Sequence, residues 1–221
     1  MLKHKIINLL RNYGWMLAYY FMFFIALGLL QVLFPHFSIS EYQQNDINRL
    51  LLENPLQFFL LAVIIAPVLE EGMFRTLIRP TTNELIFFFS CWLVVLVTSF
   101  IPVDVYWTVK FGFLLVFLIF SFVVLRELIP LPWQWKLCSW LKKYQILIWI
   151  ITSVLFGMIH IYNYVEGFEL NFVLFLLIFP RIIAGIFFGK VKIENRSLLW
   201  PIALHAMNNG VVLLLLLPQL L

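Results

Sequence analysis

Three apolar stretches of the sequence each contain polar side chains that could do acid–base chemistry. In chain order, these side chains are Glu70, Glu71, Arg75, His160, His205 and Asn209. A carboxylate can take a proton from water, an imidazole can pass a proton on, and an amide can donate a hydrogen bond to an oxyanion. The set is sufficient for the attack of water on a carbonyl carbon. Because Glu70 can activate the water, no serine or cysteine nucleophile is required.

The first stretch contains two adjacent carboxylates whose spacing gives them different roles. At about 100° per residue, Glu70 and Glu71 face different neighbours on a helix. Glu71 and Arg75 are four residues apart, so they share a helical face and are predicted to form an ion pair. Glu70 then has no partner within its own helix and is available as a general base. The alternative is that Glu70 only bridges to a neighbouring helix.

The other two stretches are less informative when each is taken alone. A single histidine in an apolar helix, such as His160, more often bridges helices through a hydrogen bond than takes part in catalysis. His205 and Asn209 are four residues apart and therefore point from one helical face. An ionisable side chain inside a membrane is costly unless it is paired or lines a cavity. A single shared site explains the three polar segments more simply than three unrelated occurrences of polar residues.

The elements that position these residues must be membrane-spanning helices. Of the 221 residues, 63% are hydrophobic and 12% are charged, and the mean hydropathy is +0.99. A water-soluble domain of this size cannot bury so much apolar surface, and a disordered chain would be more polar. The apolar runs are continuous and not alternating, which argues against a β-barrel. The net charge of +4 is dispersed between the runs, so nucleic acid is not a predicted partner.

A helical crossing uses about 20 residues, so the apolar content predicts about seven crossings. We predict an all-α, polytopic membrane helix bundle that forms a single membrane-embedded domain over residues 1–221. The predicted spans are 15–34, 55–78, 84–101, 105–125, 145–163, 170–189 and 198–217. The first run is too long for a signal-peptide core, and residues 35–38 contain no small-residue cleavage site, so it is predicted to be retained. Gly185 and Gly189 predict close packing of the sixth span.

The basic residues predict the orientation of the bundle. If the N-terminus is cytoplasmic and the spans alternate, the inner segments carry eleven basic residues and the outer segments carry only Arg49. The eleven are Lys3, Lys5, Arg11, Arg79, Arg126, Lys136, Lys142, Lys143, Lys190, Lys192 and Arg196. The outer segments are acidic instead, with Glu41, Asp46, Glu53, Asp104, Glu166 and Glu169. We therefore predict that the N-terminus is inside and the C-terminus outside.

The three polar motifs, taken in order, resemble those of the CPBP family of intramembrane proteases. The motifs read EExxxR from Glu70, FxxxH from Phe156 and HxxxN from His205. The family includes type II CAAX prenyl endopeptidases and bacterial Abi-type immunity proteins. The approach to the third motif, residues 196–201, also resembles the corresponding family segment. The similarity covers about residues 55–215, and three motifs in the correct order are more specific than any one of them.

The resemblance implies a role for each matching residue of the first two motifs. Glu70 matches the family's water-activating glutamate. Glu71 and Arg75 match a supporting pair. His160 matches the histidine that assists in activating the water.

The third motif and the metal content follow from the resemblance in the same way. His205 and Asn209 match the pair that stabilises the oxyanion. Family members are described both as metalloproteases and as metal-free glutamate proteases. Glu70, His160 and His205 could ligate Zn²⁺ with water in the fourth position, as in catalytic zinc sites. The sequence leaves the zinc and the metal-free schemes open, and no cofactor is predicted with certainty.

The sequence departs from the common family pattern between the first two motifs. About 85 residues separate Arg75 from His160, and they include two additional apolar runs. An even number of added crossings returns the chain to the same side, so the insertion is compatible with the site. At ~1.5 Å per residue, Glu70 lies roughly 13 Å from the inner boundary and His160 nearer 20 Å. We therefore expect that the fifth span begins further along the chain, that it tilts, or that the site extends further along the membrane normal.

Arg181 is a further candidate for the site. It follows Pro180 in the sixth run, and it could neutralise Glu70 or Glu71, bind a substrate carboxylate, or extend to the inner surface. Cys91 and Cys138 predict neither a disulfide framework nor a redox site. No chemistry is assigned to three further polar side chains, His4, His36 and Lys110.

These observations predict an intramembrane endopeptidase that hydrolyses a peptide bond of a membrane-associated peptide or protein. A composition rich in Phe, Ile, Lys and Asn favours a multi-pass protein of a bacterial inner membrane. A prenylated CAAX substrate is then less favoured than another membrane-bound peptide, because bacteria generally lack such substrates. The alternative is a non-proteolytic scaffold or bacteriocin-immunity factor that uses the same polar cluster. A carrier is disfavoured because the sequence contains no inverted repeat.

Overall fold

The computed structural model describes residues 2–34, 42–102 and 104–216 of the 221-residue chain. Three expectations lie outside the described residues. They concern the absence of a cleavage site at 35–38, the lack of chemistry at His36 and the outer position of Glu41. The side chains of residues 45 and 46 are likewise not described, and these include the predicted outer-loop carboxylate of Asp46.

The described residues form helices joined by short connections, and no strand occurs among them. We number the helices α1 to α9 in chain order. Their bounds are α1 Leu2–Leu33, α2 Asn45–Glu53, α3 Pro55–Phe74, α4 Thr82–Thr98, α5 Trp107–Leu128, α6 Leu131–Lys143, α7 Gln145–Asn163, α8 Phe172–Asn195 and α9 Leu199–Leu216. The predicted all-α class is confirmed.

Six of the helices are long and apolar enough to cross a membrane. They are α1, α3, α5, α7, α8 and α9. α4 is also apolar but has only 17 residues, which corresponds to ~25 Å of helix against a ~30 Å hydrocarbon core. Each predicted span corresponds to one of these seven helices, so the predicted count of about seven is confirmed in outline.

The first helix is longer than the sequence predicts. α1 begins at Leu2, whereas the predicted span begins at residue 15. The polar residues in its first turns are buried against the end of α8. Asn8 Nδ2 donates to Asn195 Oδ1 over 3.1 Å, and Asn12 Nδ2 donates to Glu194 Oε2 over 2.7 Å. These partners are about 180 residues distant in sequence, so local composition alone suggests a polar tail.

α3 changes its winding halfway along its length. Residues Leu60–Ile65 form a π-helical segment, and the regular α-helix resumes at Ala66. A π segment leaves backbone groups out of the regular hydrogen-bond ladder and often occurs at functional sites. The Ala62 carbonyl accepts a 2.8 Å hydrogen bond from Asn209 Nδ2 of α9. The irregular segment is therefore tied to the helix that carries His205.

α8 is the most buried helix and packs closely against α7. A Cβ atom on Gly185 would lie 2.9 Å from the Ser153 carbonyl oxygen and 3.0 Å from its Cα. A Cβ atom on Gly189 would collide with the Trp149 ring, whose Nε1 donates to the Ile186 carbonyl over 2.9 Å. The two glycines thus allow the helix backbones to approach, as the Gly185–Gly189 spacing predicts.

A buried ion pair joins the C-terminal end of α8 to the start of α4. Lys192 Nζ donates to Glu84 Oε1, and the Lys192 side chain is almost fully buried. Glu84 also closes a capping box with Thr81, whose side chain accepts a hydrogen bond from the Glu84 backbone N–H. One carboxylate therefore caps α4 and neutralises a lysine of the most buried helix.

Candidate active site

Polar side chains from three helices meet inside the bundle around Glu70. His160 Nε2 of α7 and His205 Nε2 of α9 each lie 3.9 Å from Glu70 Oε2 of α3. Glu70 Oε2 is buried and makes no hydrogen bond with another described residue. Separations of 3.9 Å are too long for direct hydrogen bonds but allow a water molecule to bridge Glu70 to an imidazole. The structure thus brings together Glu70, His160 and His205.

The hydrogen bonds of the two imidazoles fix which nitrogen faces Glu70. His160 Nδ1 lies 2.7 Å from the Phe156 carbonyl oxygen, and His205 Nδ1 lies 2.9 Å from Glu71 Oε1. A carbonyl oxygen and an ionised carboxylate can only accept, so each Nδ1 carries a proton. In each neutral imidazole, Nε2 is then a free acceptor that points towards Glu70.

Glu71 connects the imidazole of α9 to a fully buried arginine. Its Oε2 lies 3.2 Å from Arg75 Nε, and both side chains have no exposed surface. This is the pair that the four-residue spacing predicts. Glu71 therefore holds a guanidinium with one oxygen and the His205 ring with the other. A charge buried so deeply requires such a partner.

Aromatic rings surround the remainder of the Arg75 guanidinium. Its central carbon lies 4.3 Å from the ring centroid of Phe156, 5.5 Å from that of Phe188 and 5.7 Å from that of Phe74. A cation over aromatic faces is attracted by the ring quadrupoles, more strongly when water is excluded. The rings thus partly compensate the Arg75 N–H groups, which have no hydrogen-bond partner among the described residues.

Phe188 also contacts the imidazole of His205, although it belongs to none of the three sequence motifs. Its ring is stacked on the His205 ring with centroids 4.7 Å apart and an interplanar angle of 22°. Phe156 contacts His160 and His205 edge-on, with centroids 4.8 Å and 5.6 Å apart. Phe188 lies seven residues after Arg181 and therefore on the same helical face. That spacing was the only feature of the sequence that could have indicated a place for Phe188 at the site.

The different depths expected for Glu70 and His160 are reconciled by the lengths of the helices. α3 ends at Phe74, whereas α7 and α8 extend beyond that end. Near Gly189, α8 approaches Ile78, which follows the end of α3, and also Trp149 in the second turn of α7. The first turns of α7 thus lie beyond the end of α3. His160, four turns into α7, is therefore level with Glu70.

The structure places Asn209 and Arg181 at the margins of this cluster. One N–H of Asn209 is engaged by the Ala62 carbonyl, which leaves the second N–H of the amide. Arg181 is close enough to interact electrostatically with Glu70, His160 and Tyr20. Across the described ranges, it forms no ion pair and no hydrogen bond.

The donor atoms suit zinc in type but not in spacing. Two imidazole nitrogens and a carboxylate oxygen are common zinc ligands, and each imidazole has the outer hydrogen bond that such ligands usually make. A tetrahedral site with bonds of ~2.1 Å requires donors about 3.4 Å apart. The 3.9 Å separations exceed this value. Among the described residues, no group of three His, Cys, Asp or Glu side chains is arranged to hold a metal ion.

Comparison with known proteins gives one finding for this chain. A family model described as "Type II CAAX prenyl endopeptidase Rce1-like" matches residues 52–211, which is more than two-thirds of the chain. The match begins shortly before α3 and ends within α9, so it includes Glu70, His160 and His205. No curated protein and no solved structure matches the chain.

Proposed function

The chain belongs to the Type II CAAX prenyl endopeptidase Rce1-like family, and on that basis we propose that it is an intramembrane endopeptidase in which Glu70 activates water. The substrate class is a membrane-associated peptide or protein. The observation that carries the proposal is the convergence of His160 Nε2 and His205 Nε2 on the buried oxygen of Glu70. We further propose that this multi-pass protein lies in a bacterial inner membrane.

The first step is the attack of water on the scissile carbonyl. The water lies between Glu70 Oε2 and His160 Nε2, where each can hold it. Glu70 takes one proton as the water oxygen bonds to the carbonyl carbon. The π electrons of the carbonyl move to its oxygen, which becomes an oxyanion. His160, held by the Phe156 carbonyl, accepts a hydrogen bond from the water and orients it.

The second step is the breakdown of the tetrahedral intermediate. The free N–H of Asn209 donates a hydrogen bond to the oxyanion, and His205 does the same once its Nε2 has taken up a proton from solvent. Glu71 stabilises the protonated imidazole through its contact with Nδ1. The C–N bond breaks, and the leaving nitrogen takes the proton from Glu70. The products are a carboxylic acid and an amine, and Glu70 returns to its ionised state.

Arg181 supplies a positive charge that no described carboxylate neutralises by direct contact. An unpaired charge within a spanning helix is costly, so a role at the site is favoured over packing. Its electrostatic interaction with Glu70 and His160 supports a role near the reacting groups. We propose that Arg181 holds a carboxylate of the substrate, because a guanidinium matches a carboxylate in shape and charge.

The proposal is tested by comparing peptides in membranes from cells that carry wild-type protein or Glu70→Gln. The matched control is Glu127→Gln, since Glu127 is exposed at the end of α5 and outside the cluster. We expect product peptides to disappear with Glu70→Gln and to persist with Glu127→Gln, at equal protein levels in the membrane. A scaffold or immunity factor would retain its cellular phenotype with Glu70→Gln and yield no product peptides in either strain.

The zinc scheme makes a separate prediction that metal analysis can test. If Glu70, His160 and His205 hold zinc, purified protein contains about one zinc per chain, and His160→Ala removes it. The metal-free scheme favoured by the 3.9 Å separations predicts far less than one zinc in both proteins. It also predicts that a chelator leaves hydrolysis unchanged. Stoichiometric zinc lost together with activity on chelation would contradict it.

A further inference from the structure

α6 is too short to cross the membrane, yet it joins two helices that can. It has 13 residues, or ~20 Å of helix, against a hydrocarbon core of ~30 Å. It begins three residues after the end of α5 and ends two residues before the start of α7. α6 must therefore lie where these two spanning helices leave the hydrocarbon on the same side.

One face of α6 packs on the bundle. Gln134 and Leu141 are buried, Cys138 between them is half-buried, and the three lie at spacings of four and three residues. Gln134 Nε2 donates to the Ile129 carbonyl over 2.7 Å, which fixes the start of α6 to the end of α5. These contacts fix the rotation of α6 about its own axis, so the residues on its other faces point away from the bundle.

A second face of α6 is apolar and exposed. Trp133, Leu137, Trp140 and Tyr144 follow one another at spacings of four, three and four residues, so they form one line along the helix. We call these four residues the aromatic stripe. Trp133 and Trp140 are 67% and 56% exposed. A continuous apolar patch of this kind is unfavourable in water, and Trp and Tyr are the residues enriched at membrane interfaces.

Lys136 and Lys143 lie on the side of the stripe away from the bundle, whereas Lys142 lies across the helix from the stripe. Lys136 Nζ is 5.7 Å from the Trp133 ring centroid, and Lys143 Nζ is 5.4 Å from that of Tyr144. Lys142 and Arg126, at the end of α5, are also basic, while Glu127 is the one acidic residue between 126 and 143. A row of aromatic rings edged by lysines suits the boundary between acyl chains and anionic headgroups.

We propose that α6 lies in the plane of the cytoplasmic membrane interface and binds anionic phospholipid headgroups through Lys136 and Lys143, which flank the stripe, with Lys142 adding positive charge on the opposite side of the helix. The aromatic stripe enters the acyl-chain boundary, and the lysines remain at the level of the phosphates. The occupant of this surface is thus lipid, and anionic lipid accumulates beside α6. This inference is independent of the proposed peptidase activity, because neither α6 nor its lysines contact Glu70 or the imidazoles.

The first experiment measures how deeply the aromatic stripe and the exposed face that carries Ser139 lie in the membrane. It uses full-length protein in vesicles of phosphatidylcholine and phosphatidylglycerol in equal parts. Spin labels are placed at Trp133→Cys or Ser139→Cys in a background with Cys91→Ala and Cys138→Ser. We expect the label at position 133 to collide mainly with dissolved oxygen, which concentrates in lipid. The label at position 139 should collide mainly with a water-soluble nickel chelate. Two water-accessible labels would overturn the proposal, as would two labels shielded by a protein partner or a second copy.

The preference for anionic lipid is measured with a fluorophore at Ser139→Cys and quenchers on either lipid headgroup. We expect quenching by phosphatidylglycerol to exceed quenching by phosphatidylcholine about threefold at low salt. The ratio should fall towards one in high salt and in the variant Lys136→Gln, Lys142→Gln, Lys143→Gln. The control Lys110→Gln, in the first turn of α5 and at its other end, should leave the ratio unchanged. A ratio of one in wild type, or a ratio insensitive to the triple substitution, would overturn the proposal.

Discussion

At the scale of single residues, Glu70 and Glu71 are adjacent in sequence but have different surroundings. Glu71 is in contact with two groups, the Arg75 guanidinium and the His205 imidazole. Glu70 Oε2 has no hydrogen-bond partner among the described residues. A carboxylate with two partners is a structural requirement, whereas a carboxylate with a free oxygen can accept a proton. The same substitution should therefore have different consequences at the two positions.

Glu71→Gln is expected to destabilise the fold, while Glu70→Gln is expected to leave its stability nearly unchanged. Removing one partner of a buried pair leaves an uncompensated charge and typically costs about 3–5 kcal/mol. Unfolding in mixed micelles, followed by circular dichroism, measures the difference. The pair of substitutions Glu71→Gln and Arg75→Met should cost less than Glu71→Gln alone. Equal stability of the two single variants would contradict the assigned pairing.

Arg181→Gln is expected to remove a preference for substrates with a nearby free carboxylate. The wild-type protein should cleave a free-acid peptide with a kcat/KM at least about tenfold higher than its amidated counterpart, because a charged hydrogen-bonded pair is lost with the amide. In Arg181→Gln, the two peptides should be cleaved at similar, low rates. If Arg181 only balances the charge of Glu70, the variant would lower both rates by the same factor and keep the ratio.

At the scale of helices, the close approach of α7 and α8 determines where the site residues lie. Gly185 contacts the Ser153 backbone, and its missing side chain leaves room for Arg75 Nη2, which a Cβ atom would approach to 3.1 Å. The same two helices carry Phe156 and Phe188, whose rings contact His205. Separation of α7 from α8 would therefore displace both the arginine and the imidazole.

Gly185→Ala is expected to reduce both stability and peptide hydrolysis. Overpacking of a close contact typically costs about 1–3 kcal/mol of folding free energy, and we expect a loss of this size for Gly185→Ala. The matched control is Gly112→Ala in α5, where a Cβ atom would meet nothing within 4 Å. Thermal unfolding in detergent and product formation are measured for both variants. A Gly185→Ala protein that is as stable and as active as Gly112→Ala would argue against the α7–α8 contact.

Several elements could be predicted from the sequence, and the others depend on distant partners. Long apolar runs define spanning helices because lipid solvates all of their faces. The early start of α1 could not be predicted, since Asn8 and Asn12 find their partners on α8. α6 lies between the predicted spans 105–125 and 145–163 and was not predicted as a helix, because the burial of Gln134 and Leu141 depends on the packing of the bundle. The π segment Leu60–Ile65 has no local signal that we can identify.

The same reasoning separates the predictable part of the site from the rest. Glu70, His160 and His205 could be identified because ionisable groups are costly in lipid and therefore conspicuous in apolar runs. Phe188 could not, since one phenylalanine among 24 carries no such signal. Its contact with His205 depends on how α8 and α9 pack.

At the scale of the whole molecule, the orientation of the bundle is a prediction from the basic residues. Seven crossings with the N-terminus inside place the C-terminus outside. α4, with 17 residues, is the shortest of the seven helices that correspond to predicted spans. If α4 failed to cross, the ends of the chain would lie on the same side.

Reporter fusions in bacterial cells test the orientation directly. A fluorescent protein that folds only in the cytoplasm should be fluorescent at the N-terminus, and alkaline phosphatase should be active at the C-terminus. The opposite pair of fusions should be inactive, at comparable amounts of protein. Inactive phosphatase at the C-terminus together with a cytoplasmic N-terminus would require an even number of crossings and would contradict the predicted count.

The central claim is that water activated by Glu70 hydrolyses a peptide bond inside the bundle. Its most direct test is hydrolysis of a library of membrane-anchored peptides by purified protein in vesicles, with new peptide ends identified by mass spectrometry. Wild-type protein and Glu127→Gln should produce the same new ends, whereas Glu70→Gln should produce them at least about 100-fold more slowly with unchanged thermal stability. Hydrolysis by Glu70→Gln at the wild-type rate would contradict the account.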